Sequence, residues 1–441
     1  MKKYIGILAA ALIVLSLAAC NNASKNPETE TPGDSAAGEV TNPSESGSLE
    51  SGSSDTDAPT DAPAEEPTET EAVTEKETSS IVYSELNDLQ KMTTPFWQMD
   101  TMHRESTCMI VRDDGTITAK LAFKPVRIIS VESNDLKTVF ELDQDYTWDG
   151  ESNVIVWKEG SAIPYFTKND IEGRREDGTQ LDAYPTWDDL GRSRFGNQLY
   201  CVSAFLYEKQ IAVTYEYEYG SWEGEVTEYQ GDKLPKTMAK LKAGETINLF
   251  YFGDSIFTGC DSSGMYKREP FQHSFPEFTK QVLEATYGGR VKLYNPSVGG
   301  MQSDWGVQQI ETLVCDRADP DLVVIGFGMN DAFNGRVSAN NVKKMIDTVR
   351  ARFPDCEFVV VACMVPNAAA GFLTNQPSQP RAYEKLVGET EGCAFVNMYA
   401  CHEKLLENKD FISMSGNNIN HPNDFLIRVY AQQILSVFLE Y

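Results

Sequence analysis

Basic charge is scarce in this sequence. Thirty-eight Lys and Arg stand against 66 Asp and Glu, for a formal net charge of −28. Binding to nucleic acid needs a basic face that displaces counterions from phosphates, so no nucleic-acid partner is expected. Long apolar runs are also lacking. The longest, Tyr4 to Leu17, is too short for a comfortable membrane span. Among the nine cysteines none forms a C-x-x-C pair, and no Cys/His cluster has zinc spacing. No metal and no organic cofactor is therefore expected. The cysteines read mainly as buried thiols, and no disulfide pairing can be deduced from their spacing. Histidine occurs only four times, which narrows the choice of a catalytic base.

Lys2 and Lys3 precede the apolar run, and Leu17-Ala18-Ala19-Cys20 closes it. A basic start, a short apolar core and small residues make residues 1–19 an export signal. The L-A-A-C ending resembles the lipobox of bacterial lipoproteins. The resemblance implies cleavage before Cys20 and lipid attachment at Cys20, with the protein held on the extracellular face of the bacterial membrane. Residues 21–80 contain no aromatic and carry 15 acidic residues and two lysines. Such a stretch buries too little apolar surface to offset its ordering entropy, so residues 20–80 are expected to be a disordered tether.

Residues 81–240 read as an all-β, sandwich-like domain. Expected strands include Thr107–Val111, Thr116–Phe123, Arg127–Val131, Asn153–Trp157, Leu199–Leu206 and Ile211–Tyr217, with Asp113-Asp114-Gly115 as a hairpin turn. Trp97, Trp148, Trp157, Trp187 and Trp222 could form a sugar-stacking platform, with core packing as the plainer reading of each. From residue 241 to 441 the pattern changes. Apolar strands (247–252, 291–294, 322–327, 358–363 and 394–396) alternate with helical stretches, and a last helix spans about 424–439. Nearly all-apolar strands joined by helices imply a parallel sheet covered on both faces, a three-layer α/β/α domain. Its site should lie beyond the carboxyl ends of the strands.

That edge gathers the unusual residues. The first strand exits into Gly253-Asp254-Ser255-Ile256, the second into Asn295-Pro296-Ser297-Val298-Gly299-Gly300, and the third into Gly326-Phe327-Gly328-Met329-Asn330-Asp331. Asn417 to Asp424, with His421 inside it, precedes the last helix. A hydroxyl, a base and donors for an oxyanion are the set that acyl transfer needs. These four blocks, in this order, resemble the SGNH/GDSL hydrolase superfamily. The layout is also similar to members that carry a β-sandwich ahead of the hydrolase domain, common among carbohydrate acetylesterases.

The resemblance implies Ser255 as nucleophile and His421 as general base. Ser255 N–H, Gly300 N–H (with Gly299 as second choice) and the Asn330 side-chain amide would form the oxyanion hole. Asp254 and Asp331 read as loop-fixing residues. The family's last block is usually D-x-x-H, but Asn418 stands three residues before His421. Three arrangements fit. The first is a Ser–His dyad with His421 oriented by Asn418 or a backbone carbonyl, the second has Asp424 as substitute acid, and the third is a weakened site. The dyad is preferred, because an orienting carbonyl fixes the needed tautomer. The resulting expectation is an extracellular, lipid-anchored serine esterase acting on O-acetyl groups of poly- or oligosaccharides. The alternatives are a lipase or lysophospholipase, and a catalytically weakened carbohydrate-binding lipoprotein.

Overall fold

The computed structural model describes residues 88–441. The expected export signal, the expected lipid attachment at Cys20 and the expected tether lie outside the described residues. Strands β1 (Thr101–Val111), β2 (Ile117–Lys120), β3 (Pro125–Ser133), β4 (Val139–Phe140), β5 (Tyr146–Thr147), β6 (Val154–Trp157) and β7 (Tyr165–Phe166) come first. A separate hairpin of β8 (Arg192–Phe195) and β9 (Gln198–Cys201) follows, and then β10 (Gln210–Tyr217). All but the hairpin join one sheet of order β4-β3-β10-β1-β2-β6-β5, with β7 beside β1. Strand β1 is the seam. Thr101 to Cys108 pairs antiparallel with β10, whereas Ile110 and Val111 pair with β2. The region is thus β-rich, with short helices such as Lys168–Ile171 and Pro235–Lys242 between or after its strands, and both arms of its main sheet are continuous through β1. The D-D-G turn closes β1 onto β2, with Gly115 at φ +84°.

One expected strand is cut short. The run Leu199–Leu206 stays extended only to Cys201, after which Ser203 Oγ accepts from Phe205 N–H and caps the helix Ala204–Glu208. A side-chain cap outweighs the β propensity of this run.

The second sheet consists of β11 (Ile247–Gly253), β12 (Val291–Tyr294), β13 (Leu322–Gly326), β14 (Glu357–Ala362) and β15 (Cys393–Asn397). All its pairings are parallel, in the order β12-β11-β13-β14-β15. Alternate side chains of β11 serve two cores. Leu249 and Tyr251 join one, while Phe250 and Phe252 join the other. Helices Phe275–Tyr287 and Asp424–Leu435 pack together on the first side; Ser303–Ile310, Gly335–Arg352 and Gln379–Gly388 pack on the second. The chain leaves β11 for β12 and then crosses back to β13 on the other flank. Loops therefore depart to opposite sides of the β11 carboxyl end, leaving a crevice there.

The final helix does more than cover the sheet. Every residue from Asp424 to Leu435 is buried. Its polar side chains reach into the β-rich region: Arg428 donates to the His103 carbonyl at 3.1 Å, Gln432 to that of Met92 at 3.0 Å, and Gln433 accepts from Thr227 N–H at 2.8 Å. The core on this side of the parallel sheet is continuous with that of the β-rich region, running from Phe96 and Val131 to Phe425 and Val429. The eight cysteines among the described residues are all buried, and none forms a disulfide.

Candidate active site

Two glycines prepare the end of β11. Gly253 lies in register with Gly326 on β13. A Cβ on Gly253 would stand 2.3 Å from the Gly326 carbonyl oxygen, and one on Gly326 would stand 1.9 Å from the Phe257 ring. Only glycine at both positions lets Phe257 fold over the strand ends and the chain turn there. Asp254 Oδ1 accepts from Ile256 N–H at 3.0 Å and tightens the turn. Ser255, the next residue, is 4 % exposed.

The neighbouring exits are tied to this one. Val298 N–H donates to the Gly253 carbonyl at 3.1 Å, and Asn295 Nδ2 donates to that of Phe257 at 2.7 Å. Gly300 has φ +76°, a conformation that favours glycine. The Asn330 side-chain amide donates to the Met301 carbonyl at 3.3 Å, so the second and third exits meet. Asp331 accepts from Ser303 N–H and Ser303 Oγ, each at 2.8 Å, and from Ser338 Oγ. The third exit is also pinned from outside. Tyr383 Oη, Gln379 Nε2 and Gln376 Nε2 donate to the carbonyls of Phe327, Gly328 and Met329 at 2.9, 2.7 and 2.7 Å. With their carbonyls held from one direction, these peptides keep Asn330 fixed on the rim.

His421 reaches the same rim. Its Nε2 lies 2.8 Å from Ser255 Oγ, and its Nδ1 lies 2.8 Å from Asp261 Oδ2. A carboxylate on Nδ1 fixes the tautomer with the proton there, so Nε2 accepts the Ser255 hydroxyl proton. Asp261 is 5 % exposed and its other oxygen accepts from Tyr266 Oη. It adopts φ +67°, a left-handed conformation that aspartate tolerates. A Cβ on Gly416 would lie 2.2 Å from that of Asp261, so glycine in the histidine loop makes room for the acid.

The acid is therefore Asp261, six residues after the serine, and the expected orienting role of Asn418 is corrected. Asn418 Nδ2 donates to the Leu199 carbonyl at 3.0 Å, and its own N–H donates to Ser415 Oγ at 2.8 Å. Its φ of +63° turns it away from the ring and toward the β8–β9 hairpin. Asp424 does not replace it: its Oδ1 accepts from Ser263 N–H at 2.9 Å. The preferred dyad gives way to a three-residue relay. The sequence offered one signal, an aspartate in the apolar-rich run after Ser255, but D-S-S-G there reads as an ordinary turn. Of the other histidines, His402 is buried, accepts from Val365 N–H at 3.2 Å, and is pushed down to about 3 by burial. It is a neutral packing residue.

Residues 251–425 match the GDSL-like Lipase/Acylhydrolase family. The acylhydrolase match takes in Ser255, Asp261, Gly300, Asn330 and His421, and it supports a carboxylic ester hydrolase. No curated protein matches the chain. Several solved structures are similar. One is a two-domain esterase active on acetylated mannans, at 19 % identity, over 49 % of this chain and 56 % of its own, with a TM-score of 0.41. This chain thus spans little more than half the length of that esterase. Another is a catalytic mutant of Axe2, an acetylxylan esterase from Geobacillus stearothermophilus, at 15 % identity, over 45 % of this chain and 97 % of its own, with a TM-score of 0.38. A member of the lipolytic protein G-D-S-L family from Veillonella parvula DSM 2008 aligns at 16 % identity, over 44 % of this chain and 98 % of its own, with a TM-score of 0.36.

Proposed function

We propose that this protein is a serine esterase that removes short acyl groups, acetyl above all, from carbohydrates outside the cell. The observation that carries the reading is the Ser255–His421–Asp261 relay, with 2.8 Å at each step. Ser255 Oγ attacks the ester carbonyl as His421 Nε2 takes its proton, and Asp261 stabilises the imidazolium. The oxyanion is met by Ser255 N–H, Gly300 N–H and the Asn330 amide, each worth about 3 kcal/mol in the transition state. His421 then protonates the departing sugar hydroxyl, leaving an acyl group on Ser255. Water, deprotonated by His421, releases the acid and restores the serine.

The burial of Ser255 and His421, at 4 % and 8 % exposure, favours a small acyl group over a long chain. The β-rich region packed against the histidine loop favours a substrate larger than the ester itself. Attachment through Cys20 would hold the enzyme at the outer face of the membrane, on the strength of the L-A-A-C sequence. The test is acetate release from acetylated glycans, and turnover of p-nitrophenyl acetate against the octanoyl ester. Activity on the acetyl substrates should vanish in Ser255→Ala. Turnover that survives the substitution sinks the mechanism, and preference for octanoate favours a lipase.

A further inference from the structure

Among the tryptophans outside the acylhydrolase match, Trp97, Trp148, Trp157 and Trp222 pack on the main core. Trp187 does not. With Tyr184, Phe195 and Tyr200 it forms a half-buried group that belongs to none of the three apolar cores. The four rings touch one another instead. Tyr184 lies 5.6 Å from Trp187 and 5.0 Å from Tyr200, Trp187 lies 5.1 Å from Tyr200, and Phe195 lies 6.3 Å from Tyr200. Most of these pairs meet edge to face, an arrangement in which rings stand on one another without covering both faces. The inward residues of β9, Leu199 and Cys201, have a small core of their own with Phe166, Leu181 and Leu206. The aromatic group thus lies on the side of the hairpin opposite that small core, where its four rings stay half-buried.

Its position is specific. The residues flanking Tyr200 both bond to the histidine loop: the Leu199 carbonyl accepts from Asn418 Nδ2 at 3.0 Å, and Cys201 N–H donates to the Asn417 carbonyl at 3.4 Å. Asn417 Oδ1 in turn accepts from His421 N–H at 3.1 Å. On the other side, Phe195 lies 5.7 Å from Phe372, on the loop that leaves β14 at the catalytic edge. A Cβ on Gly196 at the hairpin tip would stand 2.8 Å from the Ala370 carbonyl, so the tip presses on that loop. The hairpin is continuous with the rim from two directions.

We propose that the half-buried aromatic group of Tyr184, Trp187, Phe195 and Tyr200 beside the β8–β9 hairpin is a sugar-binding surface for the glycan whose acyl ester reacts at Ser255, an inference that rests on the esterase reading above. Aromatic faces match the apolar C–H faces of pyranose rings, and a substrate bearing its ester at Ser255 has to leave the rim over a neighbouring element. Trp187 and Tyr200 are then specificity residues supplied by the β-rich region.

The probes are O-acetylated xylo-oligosaccharides and manno-oligosaccharides, in separate arms, with p-nitrophenyl acetate as the small ester. In Ser255→Ala protein, calorimetric titration should show binding of one of them, weakened about fivefold by Trp187→Ala or Tyr200→Leu and restored by Trp187→Phe. In active enzyme, the ratio of kcat/KM on that oligosaccharide to kcat/KM on p-nitrophenyl acetate should fall about as much, through KM. An unchanged ratio in both variants overturns the proposal. So does an absence of binding by Ser255→Ala protein, which leaves the esterase reading intact if p-nitrophenyl acetate is turned over. Survival of turnover in Ser255→Ala overturns the esterase reading instead, while the titration still tests the hairpin.

Discussion

The loop after β11 and the loop before the last helix hold the two halves of the site in opposite ways. The first is fixed by its own sheet. Gly253 is in register with Gly326, and the crossover at the β11 carboxyl end leaves Ser255 in the crevice. The second, from Lys409 to Asn423, is fixed by the β-rich region. Lys409 forms a wholly buried ion pair with Glu105, which also accepts from Tyr215 Oη at 2.5 Å and Ala122 N–H at 2.9 Å. Asp410 pairs with Arg112 at 2.7 Å, and Ser413 Oγ accepts from Cys108 N–H at 3.1 Å. Gln210 donates to the Ser415 carbonyl and Asn418 to that of Leu199, each at 3.0 Å. The position of Ser255, the proposed nucleophile, is a product of sheet topology, and that of His421, the proposed base, is a product of packing between two regions. The β-rich region therefore holds His421 in place beside Ser255.

The sharpest way to break this contrast is at the acid. Asp261→Asn keeps the shape but removes the charge that stabilises the imidazolium, so kcat on p-nitrophenyl acetate should fall by about 10³–10⁴. Asn418→Asp sets a carboxylate against the Leu199 carbonyl and loses a donor. It should cost about 1–3 kcal/mol in urea denaturation, with a much smaller loss of kcat. Recovery of Asp261→Asn by Asn418→Asp would show that the wrong acid has been named.

The second way is to loosen the histidine loop from its support. Lys409→Met leaves Glu105 buried without its cation, a change that costs about 3–5 kcal/mol in comparable pairs. Adding Glu105→Gln should recover part of that loss. Urea denaturation checks both, and a cost below about 1 kcal/mol in Lys409→Met would mean the pair is not what anchors the loop.

Why one half was legible in the sequence and the other was not follows from the same contrast. The five apolar strands and the residues at their exits are local signals, so the α/β/α layers and the gathering of the exits that carry Ser255, Gly300 and Asn330 could be expected from the chain. The support of His421 is long-range. Nothing near Asn418 says that its side chain turns toward Leu199, more than two hundred residues earlier, because that choice depends on a left-handed backbone and a distant hairpin. Asp261 was hidden for a related reason. Its role needs Gly416 to make room and Tyr266 to hold its second oxygen, and neither is visible as a pattern. The last helix shows the opposite error of scale. In the sequence its apolar residues Phe425, Val429, Ile434 and Phe438 mark one side, yet every residue from Asp424 to Leu435 is buried because the β-rich region covers its polar side.

The smallest effect tests how closed the nucleophile's own loop is. Burial pushes the Asp254 carboxyl up to about 7, and its Oδ2 has no hydrogen-bond partner among the described residues. The unfolded chain releases this proton near the ordinary aspartate value, while the folded protein keeps it to about 7. Between those values the folded state binds more protons, so this carboxyl's contribution to stability is full below about pH 4 and is lost as the pH rises toward 7. Asp254→Asn retains the acceptor for Ile256 N–H and cannot ionise. Its unfolding free energy should therefore fall less steeply than the parent's from pH 4 to 7, by on the order of 2–4 kcal/mol across the window. Parallel curves for the two proteins would mean that water reaches Asp254, and that the turn holding Ser255 is less sealed by the sheet than the glycine pair implies.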